Sequence, residues 1–341
     1  MAKQIHNQLD IIERVDRMIA ESESEVEELL SKRLREILES LSMMYNKFVV
    51  DDKTSYTDLN KYNRLSKELE RISQQLNEDY KAIVKMIEYS NERIYVEQYL
   101  MMAYLFEVYQ STEDGFSLPT EDTVAAALVN PIEFLRLPNV LKEHRNEIIR
   151  KLHIEISSSL LAGEGYWKMA ERIEKAVGFS QYKARAVART EGGRARSLSD
   201  QVVTEEMKRY ADIADVWLSS LDHKVRTAHR KLDGQVADED GYFHYKLWKA
   251  KGPHLWNVAK MDINCRCVKL KLVNGQLPSV RRGRDYKDDK YQQKLADRID
   301  MYMEEGYTYA KAYKVADKEI LPPSTTMPFI TYNDWKNIMR N

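Results

Sequence analysis

"LDHKVRTAHRKLDG" (221–234) is followed some thirty residues on by "DINCRC" (262–267), and the two stretches gather Asp222, His229, Asp233, Cys265 and Cys267 in one short region. Such a set can be an active site, a metal site or the polar skeleton of a small fold. The neighbouring residues narrow the choice. In "IADVWLSSLD" (213–222), "YFHY" (242–245) and "INCRCVKLKLV" (263–273), β-branched and aromatic residues replace a helical period, which predicts strands. Alternation in the last stretch puts Ile263, Cys265, Cys267 and Lys269 on one face and Arg266, Val268 and Leu270 on the other. A small α+β module with an antiparallel sheet is therefore expected over 210–275. A strand ending near Leu221 and a short helix opening at Asp222 or just after it would return His229 toward the sheet, with Asp233 and Gly234 turning the chain out again.

A His beside carboxylates can serve as a general base or a metal ligand. A zinc ion here would take Asp222, His229, Cys265 and Cys267, with His244 or His254 as a further candidate. The spacing argues against zinc. Structural zinc sites use ligand pairs with two or more residues between them, whereas Cys-x-Cys places both sulfurs on one strand face. The expectation is a metal-free cluster without a cofactor, whose polar groups tie loops to the sheet. No phosphate-binding Gly loop, His-Glu-x-x-His pair or Gly-x-Ser-x-Gly elbow is present, and no residue is assigned a catalytic role. Upstream, "ARTEGGRARS" (188–197) sets Glu191 and Arg194 three apart, where they can pair on a helix. Gly192 and Gly193 each cost about 1 kcal/mol in a helix interior. They imply either a break or another backbone packed close, and the second would put Glu191 beside the sheet.

Further out, the pattern is helical. Ile12, Val15, Ile19, Val26, Leu29, Leu34, Ile37 and Leu41 mark one amphipathic helix; Leu65 through Ile94 mark a second, and a third is expected over Glu92–Tyr109. The acidic run "ESESEVEE" (21–28) lies within this period and reads as a solvated helix face. "STEDGFSLPTED" (111–122) breaks the pattern, with Thr120 as a helix start; Pro131 and Pro138 punctuate short helices beyond it. A longer helix from about Leu141 should end at Gly163 and Gly165, another should run from Trp167 to Val177, and Gly178 and Ser180 should separate it from the next. After the module come a charged helical segment from Asp285 to Ile320, "LPPSTTMP" as an extended linker and a short terminal element. The resulting parts are a long-helix region (1–112), a helical connector (120–209), the module (210–275) and a charged helical tail (276–341). The class is α+β.

With 341 residues and 40.0 kDa, the chain has material for more than one folding unit. Its N-terminus lacks a signal-peptide pattern and no apolar run is long enough to span a bilayer, so a cytosolic setting is expected. Two cysteines one residue apart exclude a disulfide framework. The net charge of −1 hides a local imbalance: between Phe243 and Lys290 there are twelve Lys or Arg against four Asp, an excess of eight. Lys246, Lys249, Lys251, Arg281, Arg282 and Arg284, interleaved with Tyr245, Trp248, Trp256 and Tyr286, are candidates to hold DNA phosphates without reading sequence.

Taken together, "ARTE..R" (188–194), "W...LD.....AH..LDG" (217–234) and "DINCRC" (262–267) resemble the Mu F-like family of tailed-phage minor head proteins, also called head morphogenesis proteins. The likeness covers about 120–275. Position by position, the family's residues fall on Thr190, Glu191, Asp222, His229, Asp233, Gly234, Asn264, Cys265, Arg266 and Cys267, and Arg194 joins them as partner of Glu191. In one departure, "MDI" stands before Asn264 where many relatives have Pro or His, and Pro253-His254 lies upstream. The resemblance implies a virion component in the capsid interior or at the portal, assembled in the host cytoplasm. Its partners would be the portal protein, scaffold or major capsid protein and nonspecific double-stranded DNA, with no membrane. The alternatives are a DNA-binding ejection protein delivered with the genome and a metal-dependent enzyme.

Overall fold

The computed structural model describes residues 7–46, 64–110 and 137–338. Apolar side chains three and four apart form long helices: α1 (Gln8–Asn46), α2 (Arg64–Gln110), α3 (Leu137–Leu161) and α4 (Tyr166–Met207). The second and third expected helices are one, because no Gly or Pro interrupts 64–110. The expected break at 111–122, with its helix start at Thr120, and Pro131 lie outside the described residues. Contacts divide the chain into two units. One comprises Ile11–Val203 with Asn257–Cys265; the other comprises Thr204–Trp256, the chain from Arg266 onward and the stretch before Ile11.

The helical unit is built on one apolar seam. Val26, Ile37 and Leu41 of α1, Ile72, Ile83 and Ile87 of α2, Ile148, Leu152 and Ile156 of α3, and Ile173, Ala184 and Ala188 of α4 are all buried in it. Each Leu or Ile so buried contributes about 1.5–3 kcal/mol. Charges on the flanks pair across helices, as Arg33 does with Asp79 and Lys183 with Glu147. The acidic run of α1 is only partly solvated: Glu23 turns inward and pairs with Arg189 of α4. Pro138 sits in the first turn of α3, where its missing N–H breaks no helical bond. Gly163, at φ 65, closes the other end, with the N–H of Glu164 bonded to Ser159 and that of Gly163 to Leu160. Gly178 and Ser180 do not divide α4, which passes through both. Burial of Ile173 before them and Ala184 after them outweighs the roughly 1 kcal/mol that a helical Gly costs. Gly192 is likewise inside the helix, not at a break. A Cβ there would lie 3.0 Å from Ile19 and 3.2 Å from Ile94, so the close neighbours are side chains of α1 and α2 and not the sheet.

The second unit is the α+β module with the C-terminal chain. β1 (Ile213–Leu218) pairs antiparallel with β4 (Val268–Val273), Ile213 opposite Val273 and Leu218 opposite Val268. The short helix α5 (Thr227–Leu232) follows β1, and β2 (Phe243–Tyr245) forms a hairpin with β3 (Trp248–Ala250). Trp217 is fully buried, with the rings of His229, Phe243 and Trp256 set edge-on at 5.7, 5.3 and 5.8 Å. The strand expected from Ile263 begins only at Val268. The one-turn helix α6 (Ala259–Asp262) precedes it, the Cys265 N–H bonds back to Asp262, and Asn264 takes φ 56, which breaks extended alternation. "LPPSTTMP" is not simply a linker. Its residues Ser324–Pro328 form β6, antiparallel to β5 (Val280–Arg284). The charged segment is two helices, α7 (Asp289–Glu304) and α8 (Tyr309–Glu319), separated by Gly306 at φ 87. Helix α9 (Tyr332–Ile338) packs Tyr332 and Trp335 against Leu221 and Val225. The class is α+β, as the pattern predicted. No described helix is long and apolar enough to cross a membrane.

Candidate functional site

The β1–α5 corner carries two aspartates, and an arginine from downstream closes each. Asp222 follows β1, and Arg266 grips it with both guanidinium ends, at 2.5 and 2.9 Å. The Lys224 N–H also donates to Asp222, at 2.9 Å. Asp233 follows α5 and meets Arg281 of β5 in the same two-pronged way, at 2.9 Å on each oxygen. It also accepts the backbone N–H groups of Ser219, at 2.7 Å, and Tyr332, at 2.6 Å. Arg281 completes the knot by donating to the carbonyls of Ser219 and Ile330. Both side chains of this pair are withdrawn from solvent, at 0% and 1% exposure. Gly234, at φ 79, lets the chain turn after Asp233, so that its N–H reaches the Trp217 carbonyl at 2.9 Å.

His229 is buried on α5. Its carbonyl accepts from the Ser219 hydroxyl, and its Nδ1 lies 3.3 Å from Cys267 Sγ. Cys267 and Cys265 are both buried free thiols. His229 and Cys267 are thus two ligand-type groups in contact within the module. Asp222, another residue of the zinc set, has both oxygens engaged by Arg266. His254 is buried, while His244 is exposed and bonds Asp238.

A second buried charge cluster joins β1 and β4. Asp215 of β1 takes Lys269 at 2.8 Å and Lys271 at 2.5 Å, both on β4, and Lys271 also donates to the Thr204 hydroxyl. Burial pushes the Asp215 carboxyl up, but the two ammonium groups outweigh it and hold its pKa down at about 2. The signal in the sequence was "VKLKLV", where lysines at alternate positions of an apolar strand share one face. Gln8 caps the same strand, its side-chain amide accepting from the Lys271 N–H and donating to the Lys271 carbonyl.

In the helical unit, the motif residues Thr190 and Asn264 meet. Thr190 returns its hydroxyl to the Ala186 carbonyl at 2.6 Å and accepts the Asn264 N–H at 3.1 Å. Glu191 pairs with Arg194 at 2.7 Å, both buried.

The basic stretch is not one surface. Arg266, Lys269, Lys271 and Arg281 are held by Asp222, Asp215 and Asp233, acids that lie outside the stretch in which the charges were counted. Arg281 in particular is interior and offers nothing to a phosphate. Lys246, Lys249 and Lys251 belong to the β2–β3 hairpin, their ammonium groups 5.8, 4.2 and 5.4 Å from the rings of Tyr245, Tyr242 and Tyr242. Leu247, at the turn, is 99% exposed. Arg282 and Arg284 lie on β5, and Arg284 donates to the Pro322 carbonyl and the Ser324 hydroxyl, each at 3.2 Å.

Comparison with known proteins places these motifs in a family. The family model described as "Phage Mu protein F like protein" matches residues 150–270, which include Thr190, the β1–α5 corner and "NCRC". The minor head protein GP7 of Bacillus phage SPP1 is 37% identical over 279 residues, covering 82% of this chain and 91% of that protein. The NAD(+)--arginine ADP-ribosyltransferase EFV of Enterococcus faecalis is 31% identical over 206 residues, 59% of this chain but 42% of that protein. No solved structure matches. The ordered motifs and a relative of this identity, matched over nearly its whole length, show that the chain belongs to the Mu F-like family of phage minor head proteins.

Proposed function

We propose that the chain is a minor structural component of a tailed-phage head that acts in head morphogenesis, within the capsid or at the portal. The similarity to GP7 over 91% of that protein carries this reading. The buried charges support a structural role. The corner aspartates Asp222 and Asp233 are each closed by an arginine and backbone donors, so these two residues fix loops. The outward faces of α1 and α2, whose apolar seam is buried in the helical unit, serve recruitment to the portal protein, scaffold or major capsid protein. The hairpin lysines Lys246, Lys249 and Lys251, beside Tyr242 and Tyr245, contact packaged double-stranded DNA without sequence preference. Ejection with the genome is the further step this reading allows. The transferase activity belongs to a relative matched over 42% of its length and is not carried over. The test is quantitative mass spectrometry of purified heads. The full chain is expected in heads, and a chain lacking 1–110 is expected to be absent from them. Truncated chain at the full-length level would overturn recruitment through α1 and α2.

A further inference from the structure

Thr190 and Glu191 border a pocket. It lies in the helical unit between α3, α4 and the 257–265 segment, has a volume of about 260 Å³, and is lined among others by His144, Tyr182, Val187, Glu191, Ile263 and Asn264. Its wall is mostly apolar. Two of the lining residues nevertheless carry a buried polar atom without a hydrogen-bond partner, Asn264 Oδ1 and His144 Nδ1. The rest of Asn264 is fixed. Its N–H donates to Thr190 Oγ1 at 3.1 Å, its Nδ2 to the Tyr182 hydroxyl at 3.3 Å, and its backbone is set at φ 56. An acceptor held in place this way, in a wall otherwise suited to carbon, calls for a donor on an apolar body. Burial and then Lys183 lower the His144 pKa, so its ring is uncharged near neutral pH and favours no anion.

Size narrows the occupant. An apolar cavity of about 150 Å³ accepts benzene, and ligand pockets for drug-sized molecules begin at about 300 Å³. We propose that this pocket binds an uncharged one- or two-ring aromatic group bearing an N–H or O–H donor, the ring against Val187 and Ile263 and the donor on Asn264 Oδ1. That chemistry has two sources, a free aromatic compound or a Trp or Tyr side chain presented by a protein. The proposal goes beyond the head-protein reading and does not rest on it.

The test is saturation-transfer NMR and calorimetry on the full chain with indole, with indene as the same shape lacking the donor, and with N-acetyltryptophanamide. One indole per chain is expected, bound about two- to tenfold more tightly than indene, the range of one net hydrogen bond. Ala186 also lines the pocket, so Ala186→Phe, which places a ring there, should remove binding while circular dichroism stays that of the wild type. Asn264→Gly tolerates the positive φ and should bring indole and indene to equal affinity. N-acetyltryptophanamide binding as well as indole would support the pocket with a protein side chain as occupant. Its exclusion while indole binds would support the pocket with a free compound. Absence of binding by all three probes, equal binding of indole and indene to the wild type, or unchanged indole binding in folded Ala186→Phe would each overturn the proposal.

Discussion

Replacing Arg281 by Met separates two opposed accounts of that residue. If Arg281 were a surface cation holding phosphate, its loss would weaken DNA binding and leave stability alone. In the fold it is the centre of a buried knot. Its guanidinium meets both oxygens of Asp233 at 2.9 Å and donates to the carbonyls of Ser219 and Ile330. Methionine fills similar space without a donor. The Asp233 carboxylate would keep the Ser219 and Tyr332 N–H groups but lose its counter-charge at 1% exposure. Removing one partner of a buried pair costs about 3–5 kcal/mol. For a unit of this size, about 1 kcal/mol moves the melting temperature by roughly 4 °C, so a fall of about 10–20 °C is expected. Urea denaturation followed by tryptophan fluorescence is the assay, since Trp217 and Trp256 lie in this unit. Asp233→Asn should be destabilising for the mirror reason, leaving a buried guanidinium without its carboxylate. The double variant should lose less than the sum of the two single losses, because the pair acts together. A loss under about 1 kcal/mol in Arg281→Met, or strictly additive losses, would refute the knot.

The Asp215 cluster carries a pH signature. Its folded-state pKa of about 2 lies below the usual carboxylate value of 3.8, so the stabilisation it supplies is complete above about pH 4 and is lost as pH falls toward 2. The urea midpoints of wild type and Asp215→Asn should therefore converge over that window, and a gap that persisted at pH 2 would count against the cluster. Elemental analysis of purified protein is expected to find no stoichiometric zinc, because Cys-x-Cys is not the ligand spacing of structural zinc sites and Asp222 is engaged by Arg266; one tightly held zinc per chain would reverse that expectation. Replacing Lys246, Lys249 and Lys251 with Ala should flatten the slope of log DNA affinity against log salt by up to about 0.9 per lysine. An unchanged slope would remove the hairpin from the DNA interface.

Local signals and long-range partners were unequally legible in the residues. The period of α1 and α2 was visible because every third or fourth position had to be apolar to form the seam, and Trp217 with its aromatic neighbours marked the change to strands. The start and stop signals misled where packing opposed them. Gly178 and Ser180 suggest an end, yet α4 runs on because apolar residues on both sides bury against the same core. Asn264 did the reverse, breaking an alternation that looked continuous from Ile263 by adopting φ 56.

Charge was the hardest feature to read, for a physical reason. A lysine or arginine counts as surface charge only if no carboxylate has drawn it inside, and that carboxylate need not be near in sequence. Arg266 and Asp222 are 44 residues apart, and Arg281 and Asp233 are 48 apart. A count over 243–290 therefore mixes two populations. In one, cations replace lost solvation with geometry, and their removal leaves an aspartate stranded in the interior. In the other, the hairpin lysines rest over tyrosine rings and keep their charge available. Within "NCRC", Arg266 belongs to the first population, since its guanidinium grips the buried Asp222. The proposed DNA contact therefore falls to the exposed β2–β3 hairpin and not to Arg266 or Arg281.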